Sequence, residues 1–121
     1  MKYNYLILGI ALITLTSFDR KLDKNNYVNK FEIIYQNSEG EKLIAKSDCI
    51  GCHKIDKKLI GPSYLDVANK YPNNDKSINY LAGKIIKGGS GVWGAIPMAA
   101  HGSMKKEEAK TIAKYILSLK K

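Results

Sequence analysis

At 121 residues the chain has room for one domain and a short extension, and no internal repeat divides it. An apolar content of 45% is that of a globular protein and excludes wholesale disorder. The net charge of +9 is almost all lysine, spread over several segments with no arginine-aromatic run to grip single-stranded nucleic acid, so no nucleic-acid partner is expected.

The N-terminus reads as an export signal. Lys2 supplies a positive start, Leu6 to Leu15 form an apolar run, and Thr14, Thr16 and Ser17 are small and polar. Even stretched from Tyr3 to Phe18, that run is shorter than the ~20 residues a spanning helix needs. Residues 1–17 are therefore expected to be a signal peptide. An uncleaved membrane anchor is the alternative, because the cleavage site is not a clean A-x-A. No cysteine lies there to carry a lipid. Residues 18–37 form an N-terminal extension or linker, rich in Asn, Lys and Asp, with apolar residues at Val28, Phe31, Ile33, Ile34 and Tyr35.

The domain is expected to span residues 38–121. Ser38-Glu39-Gly40-Glu41 fits a capping box, opening a short helix through Leu43, Ile44 and Ser47 toward Cys49. Ser63 to Lys70 reads as a helix entered from Gly61-Pro62 and stopped before Pro72. From Ser77, the positions Ile78, Leu81, Ala82, Ile85 and Ile86 repeat as one buried helical face, ended by Gly88-Gly89. A loop from Ser90 to Gly102 carries Trp93, Pro97, Met98 and His101. A last helix runs from Ser103, burying Ala109, Ile112, Ala113, Ile116 and Leu119. No stretch alternates as a strand should, so the fold class is all-α. A domain of this size commonly needs a staple.

Both cysteines sit in Cys49-Ile50-Gly51-Cys52-His53. A disulfide between them would close too short a loop to stabilise much. The C-x-x-C-H spacing is that of covalent haem attachment. On a helical turn, positions three apart turn both thiols the same way, each toward one haem vinyl group. His53 then lies where its imidazole can reach the iron. A thioredoxin-like dithiol is the first competitor, but nothing before Cys49 reads as a strand. Zinc held by Cys49, Cys52, His53 and His101 is the second, and its ligand spacing is unusual. Met98, fixed by Pro97 in a punctuated loop, is the leading second axial ligand, although an isolated Met is ordinarily core filler. His101 offers a bis-His site instead, against its ordinary reading as a surface residue. Met104 reads as filler in the first turn of the last helix.

From Ser38 to Lys121 the chain resembles the class I cytochromes c, in particular the small single-haem bacterial electron carriers of the periplasm. Three motifs in order carry the resemblance: Cys49 to His53, then Ile60-Gly61-Pro62-Ser63-Tyr64, then Gly91-Val92-Trp93-Gly94-Ala95-Ile96-Pro97-Met98. It implies the cytochrome c-like fold, short helices around one haem c held by Cys49 and Cys52. It also implies His53 and Met98 on the iron, and the Pro62 carbonyl accepting from His53 Nδ1–H. Trp93 matches a tryptophan bonded to a haem propionate, and Lys84 falls where close relatives place an arginine for the same purpose. Gly40 and Tyr115 match the crossing of the first and last helices. Ala99-Ala100-His101 replaces a proline-rich segment.

The function this implies is single-electron transfer, without catalysis on an organic substrate, between periplasmic or membrane redox partners. The alternatives are a haem-bearing subunit or tethered module of a membrane oxidase or reductase, and a haem-based ligand sensor. The lysines form either a merely solvated surface or one that steers toward an acidic partner. The expected state is a monomer in the periplasm, soluble or tethered to the membrane through the N-terminal segment.

Overall fold

The structure, a computed structural model, describes residues 39–120. The signal peptide, the extension and the Ser38 cap expected from the sequence lie outside the described residues. Among the described residues five helices follow one another: α1 (39–45), α2 (Cys49–Cys52), α3 (Tyr64–Lys70), α4 (Asp75–Lys87) and α5 (Lys106–Ser118). Among the described residues the extended pairing is one isolated antiparallel bridge, Gly89 to Met98. The all-α expectation is met.

The three longer helices, α3, α4 and α5, begin where a side chain satisfies a free amide. Ser63 caps α3 by accepting from Asp66 N–H at 3.0 Å, while Asp66 Oδ2 accepts from Ser63 N–H at 3.2 Å. α4 starts at Asp75, two residues before the expected Ser77, because Asn74 Oδ1 accepts from Ser77 N–H at 2.9 Å. Asp75 in its first turn and Lys84 and Lys87 in its last complement the helix dipole. α5 starts at Lys106, three residues later than expected from Ser103. There Glu108 Oε2 reaches back to Lys105 N–H at 3.0 Å, and Met104 falls in the preceding turn, half-buried on the core. The first helix also stops early. Ser47 lies in a bend between α1 and α2, its hydroxyl donating to the Ile44 carbonyl at 2.9 Å.

α5 is the central element and packs against both α3 and α4. Its buried face is Ala109, Ile112, Ala113, Tyr115, Ile116 and Leu117. Opposite it lie Tyr64, Val67 and Ala68 of α3 and Ile78, Ala82 and Ile85 of α4. Ala82, Ala109 and Ala113 are almost fully buried, and their small side chains let the helix backbones approach. Leu119 is only half-buried.

α1 crosses α5 at Gly40. A Cβ on Gly40 would run into Tyr115 Cβ and lie 2.8 Å from the Thr111 carbonyl oxygen, so the crossing requires a glycine. Helix propensity alone favours alanine over glycine by ~1 kcal/mol, whereas overpacking a tight contact costs about 1–3 kcal/mol. Gly40→Ala should therefore destabilise the haem-loaded protein by about 1 kcal/mol in guanidinium unfolding, and Gly40→Leu by more. A stabilised Gly40→Ala would show that the helices do not cross there.

Candidate haem site

α2 is one turn long, and its three-residue offset sets Cys49 and Cys52 on the same side. Cys49 is half-buried and Cys52 exposed, and no disulfide joins them. His53 follows as the C-cap with φ −122° and ψ 147°. Its N–H still donates to the Cys49 carbonyl at 2.9 Å while its side chain leaves the helical path. Gly61 N–H donates to the Cys52 carbonyl at 2.9 Å, folding the 53–61 loop back over the turn.

Three contacts then hold the imidazole. Nδ1–H donates to the Pro62 carbonyl at 2.7 Å. The ring stacks on Tyr64, with centroids 5.7 Å apart and planes inclined by 18°. Gly61 lies flat against its other atoms, and a Cβ there would clash with His53 Cε1 and sit 2.8 Å from Nδ1. Because Nδ1 donates, Nε2 carries the lone pair, and among the described residues it has no hydrogen-bond partner. Burial pushes the Tyr64 phenol well above its usual pKa.

The opposite wall is the loop between α4 and α5. Gly88 ends α4 with φ 68°, its N–H donating to the Lys84 carbonyl at 2.8 Å. A Cβ on Gly88 would collide with the Met98 carbonyl oxygen, so the loop returns against the helix end at a residue that must be glycine twice over. Gly89 and Met98 exchange N–H···O bonds of 3.1 and 2.9 Å. Gly91 and Gly94 also take positive φ, and Gly91 N–H donates to the Gly94 carbonyl at 2.8 Å.

Between these walls lies a cavity of about 450 Å³. The seven residues assigned to the haem from the sequence all line it, Cys49, Cys52, His53, Pro62, Lys84, Trp93 and Met98, and so does His101, the alternative ligand. Val67, Ile85, Ile112 and Ile116 extend its apolar wall into the core, and Leu59, Ile60, Val92 and Ile96 lie exposed around it. At the rim, Lys84 Nζ stands 5.6 Å over the Tyr80 ring and Lys70 Nζ 5.1 Å over Trp93. Tyr64, Tyr71, Tyr80 and Asp48 line the cavity as well, and sequence reasoning missed them. The aromatic at the end of Gly61-Pro62-Ser63-Tyr64 was the available signal for Tyr64; nothing local marks the others.

His101 is half-buried, contrary to its reading as a surface residue. Its Nδ1 lies 3.2 Å from the Ile85 carbonyl oxygen and its Nε2 2.7 Å from Asp48 Oδ1. The bond to His101 holds the Asp48 carboxyl below its usual pKa. Cys49, Cys52, His53 and His101 do not gather as a zinc site would require. Among the described residues, the potential ligands within 4.8 Å of one another are Asp48, Cys49 and His101.

A flat, largely apolar group held through two sulfurs uses both thiols, the free imidazole nitrogen and the apolar cavity together. The fold and the site are those of an all-α haem c protein. The comparisons with known proteins give the family: residues 38–120 match the family model for cytochrome c, and the chain belongs to that family. It is 48% identical over 80 residues to cytochrome c-552 of Hydrogenobacter thermophilus, covering 66% of this chain and 81% of that one. It is 34% identical over 110 residues to cytochrome c-551 of Pseudomonas aeruginosa, covering 91% and 96% of the two chains. Among solved structures it superposes on wild-type Nitrosomonas europaea cytochrome c552 with a TM-score of 0.62, at 45% identity, covering 66% of this chain and 99% of that one. The protein is an electron carrier with one covalent haem c, attached through Cys49 and Cys52.

Two thioethers predict that haem stays with the polypeptide through denaturation and acid-acetone extraction. Pigment that extracts freely, or a Cys49→Ala/Cys52→Ala double variant that retains it, would contradict attachment at these sulfurs.

Proposed function

We propose that this protein is a diffusible single-electron carrier of the periplasm with His53 and Met98 as axial ligands, and that it catalyses no reaction of an organic substrate. Haem c supplies the one-electron couple when bound. The chain's own residues set how that couple behaves. The observation that carries the reading is the common cavity, lined by His53 with Nδ1 committed to Pro62 and by Met98 held to Gly89 on the opposite wall.

Donation from Nδ1 to a carbonyl fixes the tautomer and makes Nε2 a better donor. A thioether from Met98 is a weak donor to the oxidised state, so it favours the reduced one and raises the potential. With both positions filled by protein atoms, no place remains for an exogenous ligand, which argues against a sensor. Trp93 and Lys84 are the proposed partners of the propionates: each offers an N–H donor at the rim, and Lys84 adds a compensating charge.

Residues 38–121 form the proposed carrier domain, preceded by an extension over 18–37 and a signal peptide over 1–17. The match to the Pseudomonas aeruginosa protein spans 91% of this chain, so it runs into this N-terminal region too, in support of a shared leader. No helix among the described residues is long and apolar enough to cross a membrane. The proposed partners are redox proteins with an acidic docking surface. Lys54, Lys57 and Lys58 are exposed on the loop that covers His53, beside the exposed apolar residues Leu59 and Ile60. Basic residues beside an apolar contact suit brief, steered encounters of a monomer.

The ligand assignment is tested by three variants. The oxidised wild type should show the weak far-red sulfur-to-iron band. Met98→His should abolish it and lower the potential, and Met98→Ala should abolish it and let the reduced protein bind carbon monoxide. Met104→Ala, outside the cavity, should keep the band. A band retained in Met98→Ala defeats the assignment.

Steering is tested by salt. The rate of association with an acidic redox partner should fall as ionic strength rises from ~10 to ~150 mM, because the Debye length shrinks from ~30 to ~8 Å. A rate indifferent to salt returns the lysines to a merely solvated surface.

A further inference from the structure

The loop that carries Met98 has little regular structure to hold it. Upstream, one bridge to Gly89 ties it to the end of α4. Downstream, Ala99 and Ala100 are small and exposed, and the next anchor is His101.

His101 makes three contacts with two other segments. Its backbone N–H donates to the Ile85 carbonyl at 3.1 Å, and its Nδ1 approaches the same oxygen at 3.2 Å. That carbonyl belongs to the last turn of α4. The amide four residues on would ordinarily serve it, but Gly89 N–H donates to Met98 instead. His101 therefore replaces the missing helical donor, at the helix end where the dipole favours a cation. Its Nε2 meets Asp48 Oδ1 at 2.7 Å, and Asp48 immediately precedes Cys49. Both ring nitrogens thus face acceptors, a carbonyl and a carboxylate. The two ends are unequal. The His101 side chain is 17% exposed and that of Asp48 78%, so the carboxylate contact is solvent-screened and the Ile85 contact is the firmer one.

We propose that His101 is a positioning residue for the distal ligand: it latches the Met98 loop to the end of α4 and to the turn that carries Cys49. The proposal rests on Met98 being that ligand. His101 itself does not reach the iron, because both its nitrogens are engaged elsewhere. Without the imidazole the backbone keeps its His101 N–H bond to the Ile85 carbonyl but loses the second contact there and the tie to the attachment turn, and Met98 leaves its place more often while the helices remain folded.

The test uses the haem-loaded protein and compares His101→Ala, His101→Gln, Asp48→Ala and Asp48→Asn with wild type. Two midpoints are followed on heating, that of the far-red band and that of helix ellipticity. In His101→Ala the band should disappear well before the helices melt, and reduced protein should combine with carbon monoxide about tenfold faster, as fits loss of a hydrogen bond to a carboxylate. Asp48→Ala should show the same change more weakly. Asp48→Asn, which keeps the acceptor oxygen, should stay near wild type, and His101→Gln, which keeps a side-chain donor, should recover part of the loss. Should His101→Ala not accumulate, the exposed Asp48→Ala and the conservative His101→Gln still read the effect. Band and helix midpoints that move together in these variants, with carbon monoxide binding unchanged, would make His101 a stabiliser of the whole fold and overturn the latch. A wild type without the band, or Met98→Ala that retains it, overturns the ligand assignment first and the latch with it.

Discussion

The hydrogen bond from His53 Nδ1 to the Pro62 carbonyl, 2.7 Å long, is the constraint on which the site's geometry depends. It can form only if the chain leaves α2 in extended conformation at His53 and returns nine residues later with a proline carbonyl facing the ring. The return in turn needs Gly61, since any side chain there would occupy the imidazole's space. Ser63 then caps α3 at once, and that cap brings Tyr64 onto the His53 face. One interaction thus joins the attachment turn, the intervening loop and the first residue of a core helix. A histidine so held loses ring orientation and tautomer as variables, which lets a redox couple change charge with little rearrangement around it.

The second wall is built on another principle. His53 is fixed by contacts close to it in sequence, whereas Met98 stands on a loop held to the scaffold at isolated points. Those points cluster at the C-terminus of α4, where Gly88 admits the Met98 carbonyl, Gly89 pairs with Met98, and Ile85 receives His101. The end of α4 therefore does for Met98 what Pro62 does for His53. It also joins the site to the main packing, because Ile85 buries its side chain in the core while its carbonyl holds the loop. Chemistry on the loop is coupled to the stability of that helix end.

Charge is arranged around this apolar centre more than within it. Lys84 and Lys70 stand over aromatic rings at the rim, contacts that hold a cation near the cavity without committing it to a carboxylate. The lysine ion pairs that form among the described residues, Lys42 with Glu39 and Lys110 with Glu107, are spaced i, i+3 on helix surfaces and contribute little. Much of the lysine charge of the domain is thus left unneutralised and available to the long-range field.

The sequence by itself determined the chemistry and the inventory of helices. C-x-x-C-H is a local pattern whose spacing alone turns two sulfurs to one side, and the buried face of α4 repeats at a period that any reader of the chain can find. Cys49, Cys52, His53 and Met98, read from the residues, line one cavity with Pro62, Trp93 and Lys84, which came through resemblance. The Gly40–Tyr115 crossing came through resemblance, since nothing in a lone glycine says what it faces. Helix starts were misplaced at α4 and α5, where Asn74 and Glu108 outcompete the serines at 77 and 103, a contest settled by which side chain reaches a free amide. The tertiary structure alone decided the partners of His101. Ile85 lies 16 positions before it and Asp48 53 positions before it, so no periodicity joins the three. They meet because α4 ends at Gly88 with its Ile85 carbonyl lacking a helical donor, and the fold sets the attachment turn beside that end.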